Sequence, residues 1–369
     1  MRLPLVDIVF RELEVRCAES PPISFAKSML DQSDLDLVMS AIGAEPTPPE
    51  AGLLGPTSSS VWIGSGLAKI PALYGAAVLQ KTTGAPSRFM TALEYVRNPL
   101  VRSLPILVSL RGNHMDAVAV AESIVARRQE KAILLTGDPD GGAASILRSV
   151  SETYDLMSSP LPARDRRFVN CKGIFMLSLL SYRLTRGASS HLDAAQLRRR
   201  AVEEAWVRAR KCAARFGEWL RRSGVDVTGP LIVLSDGMPS ELSLTWQAVL
   251  SEAGVATPVC LDIKDYTHGD HAAASRIGNA RYIVLSHAAI KDLCLRFTER
   301  FSSLYDVFEV DLSADPAHVF WENLFTVCNV TSIWTSLLGY PGRRPVKHPV
   351  VSTWRDWGDL FPDRAADHA

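Results

Sequence analysis

Long apolar runs, paired cysteines and an excess of either charge are all missing from this 369-residue chain. No stretch reaches the uninterrupted apolar length that spans a bilayer, so a membrane helix is not expected. Lys plus Arg and Asp plus Glu number 40 each, so no overall field draws the protein to nucleic acid or to a membrane surface. Neither is expected as a partner. The six cysteines, Cys17, Cys171, Cys212, Cys260, Cys294 and Cys328, stand singly. Without a Cys-x-x-Cys pair, a zinc ribbon, a thioredoxin motif and a disulfide framework are disfavoured, and buried thiols in a reducing compartment are expected. The first residues, Met1-Arg2-Leu3-Pro4-Leu5-Val6-Asp7, do not make a basic region followed by an apolar core, and a cytoplasmic location is the expectation.

What is present is apolar material for two cores, at 47% of residues. Residues 1–54 read as a helical appendage, with Ser33 or Asp34 as a cap before Leu35, ending at Pro46-Thr47-Pro48-Pro49. From about 60, β-rich runs alternate with helical patterns: Val61-Trp62-Ile63, a helix through Tyr74 to Leu79, then Arg88-Phe89-Met90, Ile106-Leu107-Val108 and Ala132 to Leu135. A similar alternation returns at Leu231 to Leu234, Arg281 to Leu285 and Asp306 to Val310. Alternating strands and helices predict parallel sheets covered on both faces. Two domains are expected, 55–190 and 227–340, joined by a helical connector, 191–226. In that connector Val202, Ala205, Trp206, Ala209, Ala213, Phe216 and Leu220 recur at helical spacing, so one face is buried. Its many arginines are interrupted by Glu203, Glu204 and Glu218, which reads as a solvated face rather than a phosphate-binding one. Residues 341–369 read as an extended tail that packs through Trp354 and Trp357.

Ligands gather at the carboxyl ends of parallel strands, where turns and helix N-termini present N–H donors. Gly64-Ser65-Gly66 follows the first strand, but Lys69 stands where a dinucleotide fingerprint needs a third glycine. Ser109-Leu110-Arg111-Gly112-Asn113-His114 follows an apolar strand and opens a helix, and its polar density suits an anion. The turn from Thr136 to Gly142 has the composition of any turn. Asn170-Cys171-Lys172-Gly173 precedes an apolar helix, so Lys172 is either a ligand contact or a snorkelling surface lysine. Later in the chain, Ser235-Asp236-Gly237 follows a strand, and Glu252 is followed sixteen positions on by His268-Gly269. A carboxylate and an imidazole supply proton-transfer chemistry. His268, Asp265, Asp270 and His271 also offer donors suited to a divalent ion, although their His-x-x-His spacing falls in a glycine-containing turn.

The order of these pieces resembles the SIS (sugar isomerase) family in its double-domain form over roughly residues 55 to 310. That group holds the isomerase half of glucosamine-6-phosphate synthase, amino-sugar-phosphate deaminases and fructosamine-6-phosphate deglycases. Gly64-Ser65-Gly66 matches the family's first glycine loop, Leu93-Glu94-Tyr95 its Ser-Glu-Phe-like strand end, and Ser109 to His114 its Ser-x-Ser-Gly-x-Thr phosphate loop. Asn170-Cys171-Lys172-Gly173 resembles its Ser-Thr-Lys-Ala segment, and Ser235-Asp236-Gly237, Glu252 and His268-Gly269 fall at its glycine turn, catalytic Glu and His-Gly.

The resemblance implies two doubly wound, flavodoxin-like α/β domains. It implies Glu252 and His268 as catalytic pair in an enediol or enolamine route, with Gly64, Ser65, Gly66, Glu94, Ser109, Arg111, Asn113, His114, Asn170 and Lys172 around the substrate. It further implies a homodimer whose histidine reaches the neighbouring site, a sugar phosphate or related anion as ligand, and no metal or cofactor. Arg111 and His114 replace the loop's second Ser and its Thr, the helix before Glu252 lacks the Glu and Lys of the synthase type, and that type's lysine-bearing C-terminal tail is unmatched. With no glutaminase domain before residue 55, ammonia-channelling synthesis is not expected. The alternative is a non-catalytic sugar-derivative sensor or scaffold, although the first 45 residues show no helix-turn-helix.

Overall fold

The computed structural model describes residues 35–36, 54, 59–98, 102–149, 154–158, 169–187, 199–225, 229–237, 240–313 and 316–339. Most of the N-terminal appendage and the whole C-terminal tail, with Trp354 and Trp357, lie outside them. In chain order the first half forms β1 (Ser60–Gly64), α1 (Lys69–Thr83), β2 (Ser87–Met90), α2 (Ala92–Arg97), β3 (Leu104–Ser109) and α3 (Met115–Ala126). It continues with β4 (Ala132–Thr136), α4 (Gly142–Arg148), β5 (Tyr154–Ser158) and α5 (Cys171–Gly187). After the long helix α6 (Arg199–Ser223) come β6 (Leu231–Ser235), α7 (Glu241–Glu252), β7 (Val259–Asp262) and α8 (Asp270–Ile277). Then follow β8 (Arg281–Ser286), α9 (Lys291–Phe301), β9 (Asp306–Asp311) and α10 (Pro316–Leu337).

All strand pairs are parallel, in two sheets ordered β2-β1-β3-β4-β5 and β7-β6-β8-β9. The two doubly wound sheets are the flavodoxin-like architecture expected from the strand-helix alternation. β1, β4 and β6 are buried along their whole length, and β3 and β8 at all but their first residue. Such strands lack in-out alternation because helices cover both faces. Each sheet has a switch point, between β1 and β3 and between β6 and β8, where successive connections run to opposite sides and open a crevice at the strand ends. β5 and β7, which show no strong apolar run in the sequence, are edge strands.

One expectation is corrected. Leu93-Glu94-Tyr95 is not a strand end: β2 stops at Met90, and these residues lie in α2. Thr91 starts that helix, its side-chain oxygen accepting the Glu94 N–H at 3.2 Å. The solvated-face reading of α6 holds, since Glu203, Glu204, Arg210, Lys211, Arg215 and Glu218 are exposed while the Val202-to-Leu220 stripe is buried.

The largest core cluster joins helices α1 and α5 of the first half to the second sheet and its helices, and is organised by α10. Phe320 of α10 stacks on Tyr74 of α1 with ring centroids 3.9 Å apart, and Phe325 stacks on Phe175 of α5 at 4.9 Å. On the other side Asn323 accepts the indole N–H of Trp246 in α7 at 2.8 Å and donates to the Leu242 carbonyl at 3.1 Å. Glu322, almost wholly buried, accepts both the Nε and the Nη2 of Arg208 in α6, at 3.0 and 2.8 Å, and also the Ser313 N–H at 2.9 Å. Each fully buried large apolar side chain contributes about 1.5–3 kcal/mol, so this helix ties the two sheets together.

Five cysteines, Cys171, Cys212, Cys260, Cys294 and Cys328, are free and buried. Burial pushes the thiols of Cys212 and Cys294 up to about 12 and that of Cys260 up to about 11. No described helix is long and apolar enough to cross a membrane.

Removing the Asn323 amide strands the Trp246 N–H in a dry core. Asn323→Ala is therefore expected to lower unfolding free energy by about 2–3 kcal/mol, read from the urea midpoint. A loss below about 0.5 kcal/mol would contradict the clamp that the fold assigns to this residue.

Candidate active site

A cleft of about 750 Å³ opens at the switch point of the first sheet, between the ends of β1 and β3. Two loops of the first half form most of its wall: Gly64, Ser65 and Gly66 after β1, and Ser109, Arg111, Asn113 and His114 after β3. Glu252, the last residue of α7, closes the other side. A carboxylate of the second half thus faces the ligand loops of the first.

Gly64 has no room for a side chain, because a Cβ there would lie 2.5 Å from the Ala68 carbonyl oxygen. This close approach turns the chain straight from β1 into a 3-10 turn, Gly66–Ala68, that packs against α7. Ser65 precedes that turn and makes no capping bond with its side chain, so its hydroxyl remains for the cleft.

The loop after β3 is held by its own backbone and by the next loop. Ser109 Oγ accepts the Gly112 N–H at 3.1 Å, leaving the Ser109 O–H as a donor. Leu110 and Gly112 carbonyls accept the N–H groups of Gly137 and Ala143, at 3.0 and 2.9 Å. Asn113 Oδ1 accepts the Gly142 N–H at 2.7 Å, capping the first turn of α4. A Cβ on Gly141 would lie 2.0 Å from the Arg111 carbonyl oxygen, so only glycine lets the two loops meet this closely. His114 is the N-cap of α3, its Nδ1 accepting the Asp116 N–H at 3.3 Å. Asp116, a cleft residue with no counterpart in the motif reading, sits in the first turn with its carboxylate 3.5 Å from the same ring nitrogen.

Other expected site residues stand apart from the cleft wall. Glu94 is exposed on α2. Asn170 caps α5 by accepting the Gly173 N–H at 2.7 Å, and Lys172 lies in that helix's first turn. This helix start abuts the cleft through Leu110, 2.7 Å from where a Gly173 Cβ would stand. His268, itself exposed, ends a 3-10 turn, Asp265–His268, whose Tyr266 is buried, and it does not line the cleft within one chain. Among the described residues, Asp265, His268, Asp270 and His271 do not converge into a metal-ligand group.

The turn bearing His268 is positioned by a residue that motif reading missed. Asp262, at the end of β7, accepts the N–H groups of Gly237, Lys264 and Asp265 at 2.7, 2.7 and 3.0 Å. Partial burial opposes its ionisation, but these three bonds together outweigh burial and hold its carboxyl below the ordinary value. Asp236 of the Ser235-Asp236-Gly237 turn is bonded instead to His287 Nε2 at 2.9 Å, and that hydrogen bond lowers its carboxyl too. An Asp two or three residues before backbone donors is the Asx-turn pattern, a signal available in the sequence.

Solved structures share this fold. The C-terminal domain of glucosamine-fructose-6-phosphate aminotransferase from Francisella tularensis matches with a TM-score of 0.65 at 12% identity, over 86% of this chain and 95% of that one. Glucosamine-6-phosphate deaminase from Thermotoga maritima matches at 0.64 and 14%, over 86% and 96%. Tagatose-6-phosphate ketose/aldose isomerase from Escherichia coli matches at 0.57 and 16%, over 89% and 99%. No protein-family model matches the sequence, and no curated protein does either. The chain therefore has the double SIS fold, and its structural neighbours are the phosphosugar proteins that its motifs resemble.

The sign of the Asp262 shift gives a pH test. A carboxyl held low in the folded state stabilises at pH above its ordinary value of 3.8, and that contribution is lost as pH falls through the lower folded value. The amide resonances of Gly237, Lys264 and Asp265 are expected to titrate together with a midpoint below 3.8. Separate midpoints, or one above that value, would show that the turn is not held by this carboxylate.

Proposed function

We propose that the protein is an enzyme that transfers a proton on a sugar phosphate or a related anionic sugar derivative, in an aldose-ketose isomerase, deaminase or deglycase type of reaction. One observation carries the reading: Glu252, delivered by the second half, lines the same cleft as the two loops at the first half's switch point. In this proposal the Glu252 carboxylate takes the proton from the carbon next to the carbonyl or imine. It returns the proton to the neighbouring carbon or assists departure of an amine, so that an enediol or enolamine lies between. Ser65, Ser109 and Arg111 hold the anionic end, while Gly64 and Gly66 admit the ligand close to the backbone. Asn113 and His114 shape the loop through their capping bonds, and Asn170 and Lys172 support it from the head of α5. Glu94 is assigned to the outer rim. The fold supports this class of ligand through its phosphosugar neighbours.

His268 is proposed to assist ring opening in a neighbouring subunit's cleft. Its exposed side chain and its place outside the cleft of its own chain favour a shared site in a homodimer.

Glu252→Gln is expected to abolish solvent deuterium incorporation at the substrate carbon, with a loss of at least about 10²-fold, while ligand-induced thermal stabilisation is retained. Exchange at the wild-type rate would remove Glu252 from the mechanism, whereas ligand stabilisation of the wild type with no exchange would leave the non-catalytic sensor reading.

The shared site is tested by mixing Glu252→Gln with His268→Ala. Hybrid dimers hold one site with both residues intact, so activity is expected to return to about a quarter of wild type by statistical assortment. No recovery, with subunit exchange verified, would place both residues in one chain's site.

A further inference from the structure

The ring nitrogen that starts α3 meets two neighbours that require opposite states of it. His114 Nδ1 lies 3.3 Å from the Asp116 backbone nitrogen and 3.5 Å from the Asp116 carboxylate. Without a proton, Nδ1 accepts the Asp116 N–H; with one, it can only donate, and the carboxylate is the acceptor beside it. That N–H is among the donors that a helix start leaves without a backbone acceptor, so the second state frees it for another partner. Asp116 lines the cleft, where such a partner would enter.

His114 also lines the cleft, with its side chain half exposed. Among the described residues of the wall, it and Arg111 are the two that can carry positive charge. A charged imidazole there does three things together: it adds a second cation, pairs with the Asp116 carboxylate and releases the Asp116 N–H. The loop keeps its path meanwhile, because the Leu110 and Gly112 carbonyls and Asn113 Oδ1 still hold it to the next loop. The elements next to the ring bring other charged groups: Arg111 in its own loop, Glu252 across the cleft, Asp138 and Asp140 in the β4 loop, Lys172 on α5 and Glu94 on α2. Of all these and Asp116, the Asp116 carboxylate is the one in ion-pair contact with the imidazole.

We infer that His114 couples anion binding to proton uptake: an anion entering beside Arg111 is held by the charged imidazole and by the Asp116 N–H that it releases. The inference rests on the reading of this cleft as the site for an anionic sugar derivative. Anion and carboxylate both favour the charged ring, so binding tightens as pH falls through the imidazole range.

The test uses sulfate, a dianion that does not itself titrate near neutral pH, followed by calorimetry in buffers of different ionisation heat. Wild type is expected to take up a proton as sulfate binds, and to bind it about fivefold or more tightly at about pH 6 than at about pH 8. Arg111→Ala is expected to weaken sulfate by about tenfold or more, which places the ion in this cleft. His114→Asn keeps an N-cap acceptor for the Asp116 N–H, so the helix start is preserved. That variant is expected to lose both the proton uptake and the pH dependence. The Asp116 amide resonance is expected to shift with sulfate in the wild type and much less in His114→Asn.

Sulfate binding without proton uptake, uptake that persists in His114→Asn, or binding indifferent to Arg111→Ala overturns the inference. So does the absence of sulfate binding. Binding independent of pH, in a protein whose deuterium exchange depends on Glu252, overturns this inference alone and leaves the proposed function standing. Proton-linked sulfate binding with no such exchange supports the inference and removes only the proton-transfer reading.

Discussion

Everything at the cleft depends on how α10 is held between the two sheets. Glu252 belongs to a helix of the second half, whereas the loops it faces belong to the first, and among the described residues no strand pairing joins the two sheets. Their separation is set by side-chain contacts: Phe320 against Tyr74 on one flank, Asn323 against Trp246 and Leu242 on the other. Stacking of apolar rings is tolerant of small shifts, but the paired amide and indole hydrogen bonds are directional and cannot be lost without stranding polar atoms in a dry core. The Arg208–Glu322 pair plays the same part on the third side, tying α6 to α10 through a carboxylate that is nearly free of solvent. Buried polar groups here fix orientation as well as add stability.

The same arrangement explains why much of the fold is legible in the sequence and why α10 is not. β1, β3, β4, β6 and β8 are covered on both faces, so each appears as an unbroken apolar run between turn residues. The α6 stripe is equally plain, since one side meets the core and the other meets water. α10 touches protein on nearly all sides, and Glu322, Asn323, Thr326, Asn329, Thr331 and Thr335 are all buried along it. A helix buried all round carries no apolar stripe, and its polar residues read as surface. Edge strands β5 and β7 escape notice for a related reason, being short and only partly covered, as the exposed Val259 shows.

At the cleft, spacing and turn chemistry identify the loops that line it, while the roles of individual side chains depend on contacts that no motif specifies. Gly64, Ser65, Ser109, Arg111, His114 and Glu252 do converge. Asn113 and Asn170, which read as ligand groups, spend their Oδ1 atoms capping helices, a use common to any Asn at a helix start. Asp116 and Asp262 stand outside the family motifs: one gains meaning from the wall it joins, the other from a local Asx turn to Lys264 and Asp265 that folding completes with the Gly237 amide.

The construction of the β3 loop separates its shape from its specificity. Its path is fixed by backbone bonds from Gly112 and Leu110 to the β4 loop, by the Gly141 contact with the Arg111 carbonyl, and by caps on α3 and α4. None of these uses the side chain of Arg111, which is exposed. A side chain at that position can change without moving the loop, whereas a change at Asn323 or Trp246 would shift Glu252 relative to it. In the proposed function, proton transfer and anion recognition thus rest on different parts of the molecule, the first on the core and the second on a rim set on a rigid backbone.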